Sequence, residues 1–227
     1  MPTALITGCN RGIGLEFVRQ YAADGWRVRA TCRNPRGAKE LAAISGDVKI
    51  HALDVADDYQ VAALAKSLAD EPIDLLINNA GLGSPEEDEF GKTSANDWLE
   101  VLRVNAIAPL HVVEQFIGNL EAGQRKLIAN ITSKMGSIAD NTTGGAYIYR
   151  SSKAALNMVA KGLAQDLKAK RMIVVVFHPG WVKTDMGGPH ALIPPKASVS
   201  GMRAKIAALT PADSGKFFNY DGQPIAW

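Results

Sequence analysis

Near the start of the chain, TGCNRGIG (Thr7 to Gly14) follows a short apolar run and leads directly into a helical pattern through Leu15, Phe17, Val18 and Tyr21. Strand, glycine loop and helix in that order constrain the fold more than any other feature. Glycine tolerates positive φ and lets backbone approach a ligand closely, and a helix N-terminus presents unpaired N–H groups and a positive dipole end. The loop therefore predicts a pyrophosphate site formed by Gly8, Asn10, Arg11, Gly12, Ile13 and Gly14. Its spacing is GxxxGxG rather than the usual dinucleotide fingerprint GxGxxG. A tight strand-to-helix turn without a ligand is the simpler alternative.

Beyond the loop, short β-rich runs alternate with longer amphipathic stretches, the pattern of βαβ units. Strands are expected at Thr3–Thr7, Arg27–Cys32, Val48–Leu53, Asp74–Asn78, Lys126–Ile131, Ile173–His178 and Lys216–Asn219. Helices are expected near Gly12–Asp24, Gly37–Ile44, Gln60–Leu68, Ala95–Glu121, Tyr149–Lys168 and Ser198–Ala208, with Pro109 kinking the longest. The stretch from Gly187 to Ser200 reads as a loop able to serve as a substrate lid. With 227 residues and no repeat or linker, one α/β domain spanning 1–227 is expected. Its architecture is a doubly wound, Rossmann-like parallel sheet of seven strands with helices on both faces.

Composition removes several classes of function. Twenty-five basic and 23 acidic residues leave a net charge of +2, too little for a nucleic-acid footprint or a polybasic anchor. The longest apolar run, Met172 to Phe177, is far short of the ~18 residues of a membrane span. The start MPTALITG lacks the features of a secretory signal, so a cytoplasmic location is expected. Cys9 and Cys32 read as packed thiols, and His51, His111, His178 and His190 share no metal-ligand spacing. No metal is expected. The acidic run Pro85 to Glu89 and the basic run Lys168 to Arg171 read as solvated loop and helix-end charge.

Sites for NAD usually place an acid about 20 residues after the glycine loop, whereas arginine there accommodates a 2′-phosphate. Here the second strand ends Thr31, Cys32, Arg33, and no acid follows before Glu40. With Arg11 as a second guanidinium, NADP(H) is the expected cofactor. Surface charge is the plainer reading of both arginines.

Of five tyrosines, only Tyr149 has a lysine four residues on, at Lys153. On a helix the two share a face. An ammonium ~4 Å from a phenol at an effective dielectric of 20 is worth up to ~4 kcal/mol, enough to lower the tyrosine pKa by about two or three units. The fifth strand runs into Thr132 and Ser133, at the carboxyl end where open α/β sheets bind ligands.

TGCNRGIG, NNAG (Asn78 to Gly81), Asn105 in VNAIAP, Ser133 in NITS, Tyr149 and Lys153 in YRSSK, and His178-Pro179-Gly180 together resemble the short-chain dehydrogenase/reductase family over nearly the whole chain. SKMGSIADNTTGGAYIYRSSKAALN and TDMGGP are similar to its subgroup of sniffer carbonyl reductases and bacterial C-factor proteins. The resemblance implies that Tyr149 is the general acid/base, and that Ser133 hydrogen-bonds the substrate oxygen. It implies that Lys153 lowers the Tyr149 pKa and holds the nicotinamide ribose, and that Asn105 anchors a water in the proton relay. It further implies cofactor contacts from Asp54, Val55, Asn79, Ala80, Gly81, Pro179, Gly180, Val182 and Thr184. For Asp54 an N-cap of the next helix is the alternative, for NNAG a structural role, and for Pro179 to Thr184 a plain turn.

The function this implies is NADPH-dependent reduction of a small aldehyde or ketone by hydride transfer. A C-factor-like signalling protein and an NAD-dependent alcohol dehydrogenase are the alternatives. The 16-residue step from Ser133 to Tyr149 is longer than in many relatives, which puts the substrate wall in question. Leu82, Met135, Ile138, Trp181 and Met186 are candidates for that wall and suggest an apolar group beside the carbonyl. Ala154, Ala155, Met158 and Ala160 resemble the helix surface that builds family dimers and tetramers, so a homodimer or homotetramer is expected.

Overall fold

A computed structural model describes residues 1–227. Seven strands form one sheet: β1 (Thr3–Ile6), β2 (Arg27–Cys32), β3 (Val48–Ala52), β4 (Leu75–Asn78), β5 (Leu127–Ile131), β6 (Ile173–His178) and β7 (Phe217–Asn219). Their order is β3-β2-β1-β4-β5-β6-β7, with every neighbouring pair parallel. Parallel strands need crossovers, and the helices that supply them cover both faces, so central strands read as continuous apolar runs. Alternate residues serve two cores. Ala4, Ile6, Leu75, Ile77, Val175 and Phe177 pack on one face with α1 (Gly12–Ala23) and α8 (Pro195–Ala207). Leu5, Leu76, Ile128, Val174 and Val176 face α3 (Asp58–Ser67), α5 (Ala108–Gln115) and α7 (Tyr147–Asp166).

The strand order reverses direction between β1 and β4, and such a switch point opens a crevice at the carboxyl ends of the strands. The segments after β1, β4, β5 and β6 all start at that edge. The bottom of the sheet is closed by Asp74, which accepts from the Thr3, Gln124 and Arg125 amides.

The long helix expected over Ala95–Glu121 is divided. α4 (Ala95–Leu102) passes into a π-helical step, Arg103–Ile107, then α5, and the axis breaks at Phe116 before α6 (Ile117–Ala122). Pro109 therefore does not end the helix. It has no N–H for the carbonyl of Asn105, four residues back, and the wider turn absorbs the mismatch; π-bulges favour functional sites. Helix α2 is only Lys39–Ala42, α7 begins two residues before Tyr149, and α8 begins at Pro195. The expected lid is thus shorter. Its first residues, to Ile193, belong to a folded arm that starts at Val182, closed by a bridge between Val182 and Ile193 and by the Trp181 indole donating to the Gly187 carbonyl at 2.7 Å.

Candidate active site

The glycine loop is built for close backbone approach. Gly8 and Gly12 have φ of +70° and +57°, and a Cβ on Gly14 would lie 2.2 Å from the Gly8 carbonyl oxygen. The N-cap of α1, Arg11, makes no side-chain cap, and no acid sits in the first turn. The opening amides of α1 are therefore left for an external anion. A Cβ on Gly12 would meet Thr184 at 3.2 Å, so Thr184 stands against the loop. These features fit a dinucleotide pyrophosphate.

Neighbouring residues brace this loop. Asn79 donates its amide hydrogens to the carbonyls of Thr7 and Gly8 at 2.8 and 3.0 Å, and Thr7 Oγ1 accepts from the Asn79 and Ala80 amides. The side-chain NH2 of Asn79 thus holds the loop's shape, the structural role considered for NNAG. Thr7 was not singled out from the sequence, although it belongs to the motif. Arg11 pairs with Asp185 at 2.6 Å across the mouth of the crevice, with both side chains exposed. Asn10 and Arg33 are exposed, Ile13 packs against the core, and Glu40 is tied to Arg19 at 2.7 Å. Asp54 Oδ1 accepts from the Ala56 amide, and the N-cap of α3 is Asp57. Val55 and Val182 are buried. Gly180 has φ +82°, where a Cβ would strike Ile193 at 2.3 Å, and the Pro179 carbonyl accepts from Ser198.

Ser133, Tyr149, Lys153 and Asn105 converge. β5 delivers Ser133, whose Oγ accepts from the Met135 amide at 3.1 Å and whose side chain lies close enough to Tyr149 to influence its pKa. Lys153 is buried, donates to the Ile131 carbonyl at 3.1 Å and lies 5.8 Å from the Tyr149 ring centre. A Cβ on Gly81 would fall 3.1 Å from Asn105 Oδ1 and 3.5 Å from Lys153 Nζ, which places NNAG against both. Gly136 fits only as glycine, since its Cβ would lie 2.7 Å from the Lys153 backbone. The long Ser133–Tyr149 step is thereby anchored at its start.

One expectation about this group needs correction. Burial pushes the Tyr149 pKa above the ordinary phenol value, with Ser133 pulling the other way. The expected depression by Lys153 is not seen at Tyr149, where burial prevails, and burial also brings the lysine's own pKa down to about 8. Asn105 spends its side chain elsewhere, Oδ1 accepting from the Leu82 amide at 2.8 Å and Nδ2 donating to the Leu82 carbonyl and to Ser152 Oγ. Its side-chain amide is therefore fully engaged within the chain. Its group without an α-helical donor is the main-chain carbonyl opposite Pro109.

Around this centre, a Cβ on Gly83 would lie 3.3 Å from Met186, so the β4 loop and the arm after β6 meet. Trp181 is half exposed and Ile138 lies in the open. His178 is unprotonated at neutral pH, its pKa lowered to about 4 by burial. Ala160 is a core residue, whereas Met158 remains exposed. The acidic run is not wholly solvated, because Asp88 is buried.

The family model described as short chain dehydrogenase matches residues 2–191. C-signal of Myxococcus xanthus is 44% identical over 165 residues, 73% of this chain and 99% of that protein. The carbonyl reductase Sniffer of D. melanogaster is 35% identical, with a TM-score of 0.91 and 100% of both chains covered. An NADPH-bound carbonyl reductase from chicken fatty liver is also 35% identical, with a TM-score of 0.91, covering 100% of this chain and 99% of that one. No helix is long and apolar enough to cross a membrane.

Proposed function

The chain belongs to the short-chain dehydrogenase family, and from that premise we propose that it is an NADPH-dependent carbonyl reductase with Tyr149 as the proton donor. The observation that carries the reading is the meeting of Ser133, Tyr149 and Lys153 beside Gly81, in the crevice that the glycine loop opens. Bound NADPH supplies the hydride to the substrate's carbonyl carbon. As that carbon gains a hydrogen, its oxygen gains charge. The Ser133 hydroxyl donates a hydrogen bond to this oxygen, and the Tyr149 hydroxyl transfers its proton to it, leaving an alcohol.

A tyrosine held above its ordinary pKa is fully protonated at neutral pH and ready to donate. Its phenolate then needs compensation, which the Lys153 ammonium one turn along provides while it is charged, below about pH 8. The Asn105 carbonyl is the acceptor through which a water reaches Lys153 and returns the proton. Gly8, Gly12 and Gly14 let the backbone and the start of α1 approach the pyrophosphate. Arg33, standing exposed where β2 ends, holds the 2′-phosphate, and Gly81, Pro179, Gly180 and Thr184 flank the nicotinamide half. Leu82, Met186 and Trp181 favour an apolar group beside the carbonyl.

Likeness to C-signal favours a second reading, a signalling protein that holds nucleotide without turnover. The test is NADPH oxidation with a panel of aldehydes, ketones and quinones, with NADH as control. Carbonyl-dependent oxidation of NADPH, at least tenfold faster than of NADH and fastest with apolar substrates, is expected. NADPH binding without turnover of any member would favour the second reading.

A further inference from the structure

The helix that carries Tyr149 starts without a cap of its own. Its N-cap, Ala146, is left-handed at φ 47° and has no side-chain acceptor, and the first turn holds no acid. The leading N–H groups of a helix lack intrahelical partners, and leaving them unpaired inside a protein is costly. The acceptor comes from 60 residues away. Asp88, between β4 and α4, is only 6% exposed, while Glu86, Glu87 and Glu89 beside it face solvent. Its Oδ1 accepts from the Ile148 amide at 2.6 Å and its Oδ2 from the Tyr149 amide at 3.1 Å.

We propose that Asp88 is a positioning residue for proton transfer, capping α7 from the β4–α4 loop and thereby fixing the main chain of Tyr149. The inference rests on the reading of Tyr149 as proton donor. Both carboxylate oxygens are committed to first-turn amides, one of them the amide of the reactive residue itself. The carboxylate also meets the positive end of the helix dipole. The loop that presents it begins at Leu82, which is bonded to Asn105, and passes Gly83, which meets Met186. One segment therefore both walls the substrate cleft and sets where the phenol stands. Asp88 touches neither substrate nor cofactor and acts only through the backbone, where a displacement of about 1 Å can cost a hundredfold in rate.

The test compares wild type, Asp88→Ala, Asp88→Asn and Tyr149→Phe by kcat, KM, NADPH affinity and hydrogen exchange at the Ile148 and Tyr149 amides. Asp88→Ala should lower kcat by about ten- to a hundredfold, speed exchange at both amides and leave NADPH affinity within about twofold. Asp88→Asn keeps one acceptor oxygen and should fall between, which decides the matter should the alanine variant not fold. Wild-type kcat per folded molecule in either variant overturns the proposal, as does unchanged exchange at both amides. Full activity in Tyr149→Phe would instead remove the underlying reading, while the exchange data would still report whether the cap exists.

Discussion

The two halves of the crevice are held in different ways. On the β1–β4 side, shape comes from glycine and from hydrogen bonds to main-chain groups: Gly14 nests on the Gly8 carbonyl, and Asn79 and Thr7 tie the adjoining loop ends together. On the β5–α7 side, the reactive side chains are buried ionisable or polar groups, and the helix that carries two of them is held by the side chains of Asp88 and Asn105. Asp88 reaches Tyr149 across 61 residues, and Asn105 reaches Ser152 across 47. The first half is rigid backbone waiting for an anion. The second stores electrostatic cost in the buried Lys153 ammonium, as expected where stability is given up for chemistry.

That contrast can be broken most sharply at Lys153. Replacing it with Met should lower kcat by about 10²- to 10⁴-fold, read by NADPH oxidation, yet raise the melting temperature at pH 7. The folded chain binds this proton with a pKa of about 8, against an ordinary lysine value of 10.5. Below pH 8 the buried charge therefore costs the folded state about 3 kcal/mol. Between pH 8 and 10.5 the unfolded chain holds a proton that the folded one has released, so wild type gains stability as pH rises. The variant's thermal advantage should shrink over that window, as a melting series in both proteins would show.

In the other half the same kind of change should only harm. Gly14→Ala puts a methyl group against a main-chain carbonyl. It should cost about 1–3 kcal/mol or more and lower the melting temperature by several degrees, with NADPH affinity lost. Arg33→Asp should leave stability alone and shift the NADPH-to-NADH preference in kcat/KM by about tenfold or more toward NADH. Smallest is Arg11→Ala, which removes an exposed ion pair with Asp185. Scanning calorimetry should find its melting temperature within about 2 °C of wild type.

How much could be read in advance follows the same division. Strands β2 and β6 run as expected, and the other five begin or end within one residue of expectation, because β-branched runs between turn residues leave little choice. The glycine loop was equally legible, since its conformation is local. What Asn79 and Arg11 bind within the chain is not legible locally, because their partners, the Thr7 and Gly8 carbonyls and Asp185, lie elsewhere in the chain. Asp88 looked like one more solvated acid among glutamates, and nothing local distinguishes it. The pKa argument for Tyr149 counted the ammonium and omitted burial, which dominates for both partners. Pro109 pointed to a kink, but the π step that accommodates it depends on Asn105 packing against Leu82 and Ser152.

The central claim is that the Tyr149 hydroxyl gives its proton to the substrate oxygen, and it is tested most directly by Tyr149→Phe in single turnover with saturating NADPH and an apolar aldehyde. The account predicts that hydride transfer slows by about 10²- to 10⁴-fold, while NADPH binds with wild-type affinity. Transfer within about threefold of the wild-type rate, in a variant that still binds NADPH, would contradict it.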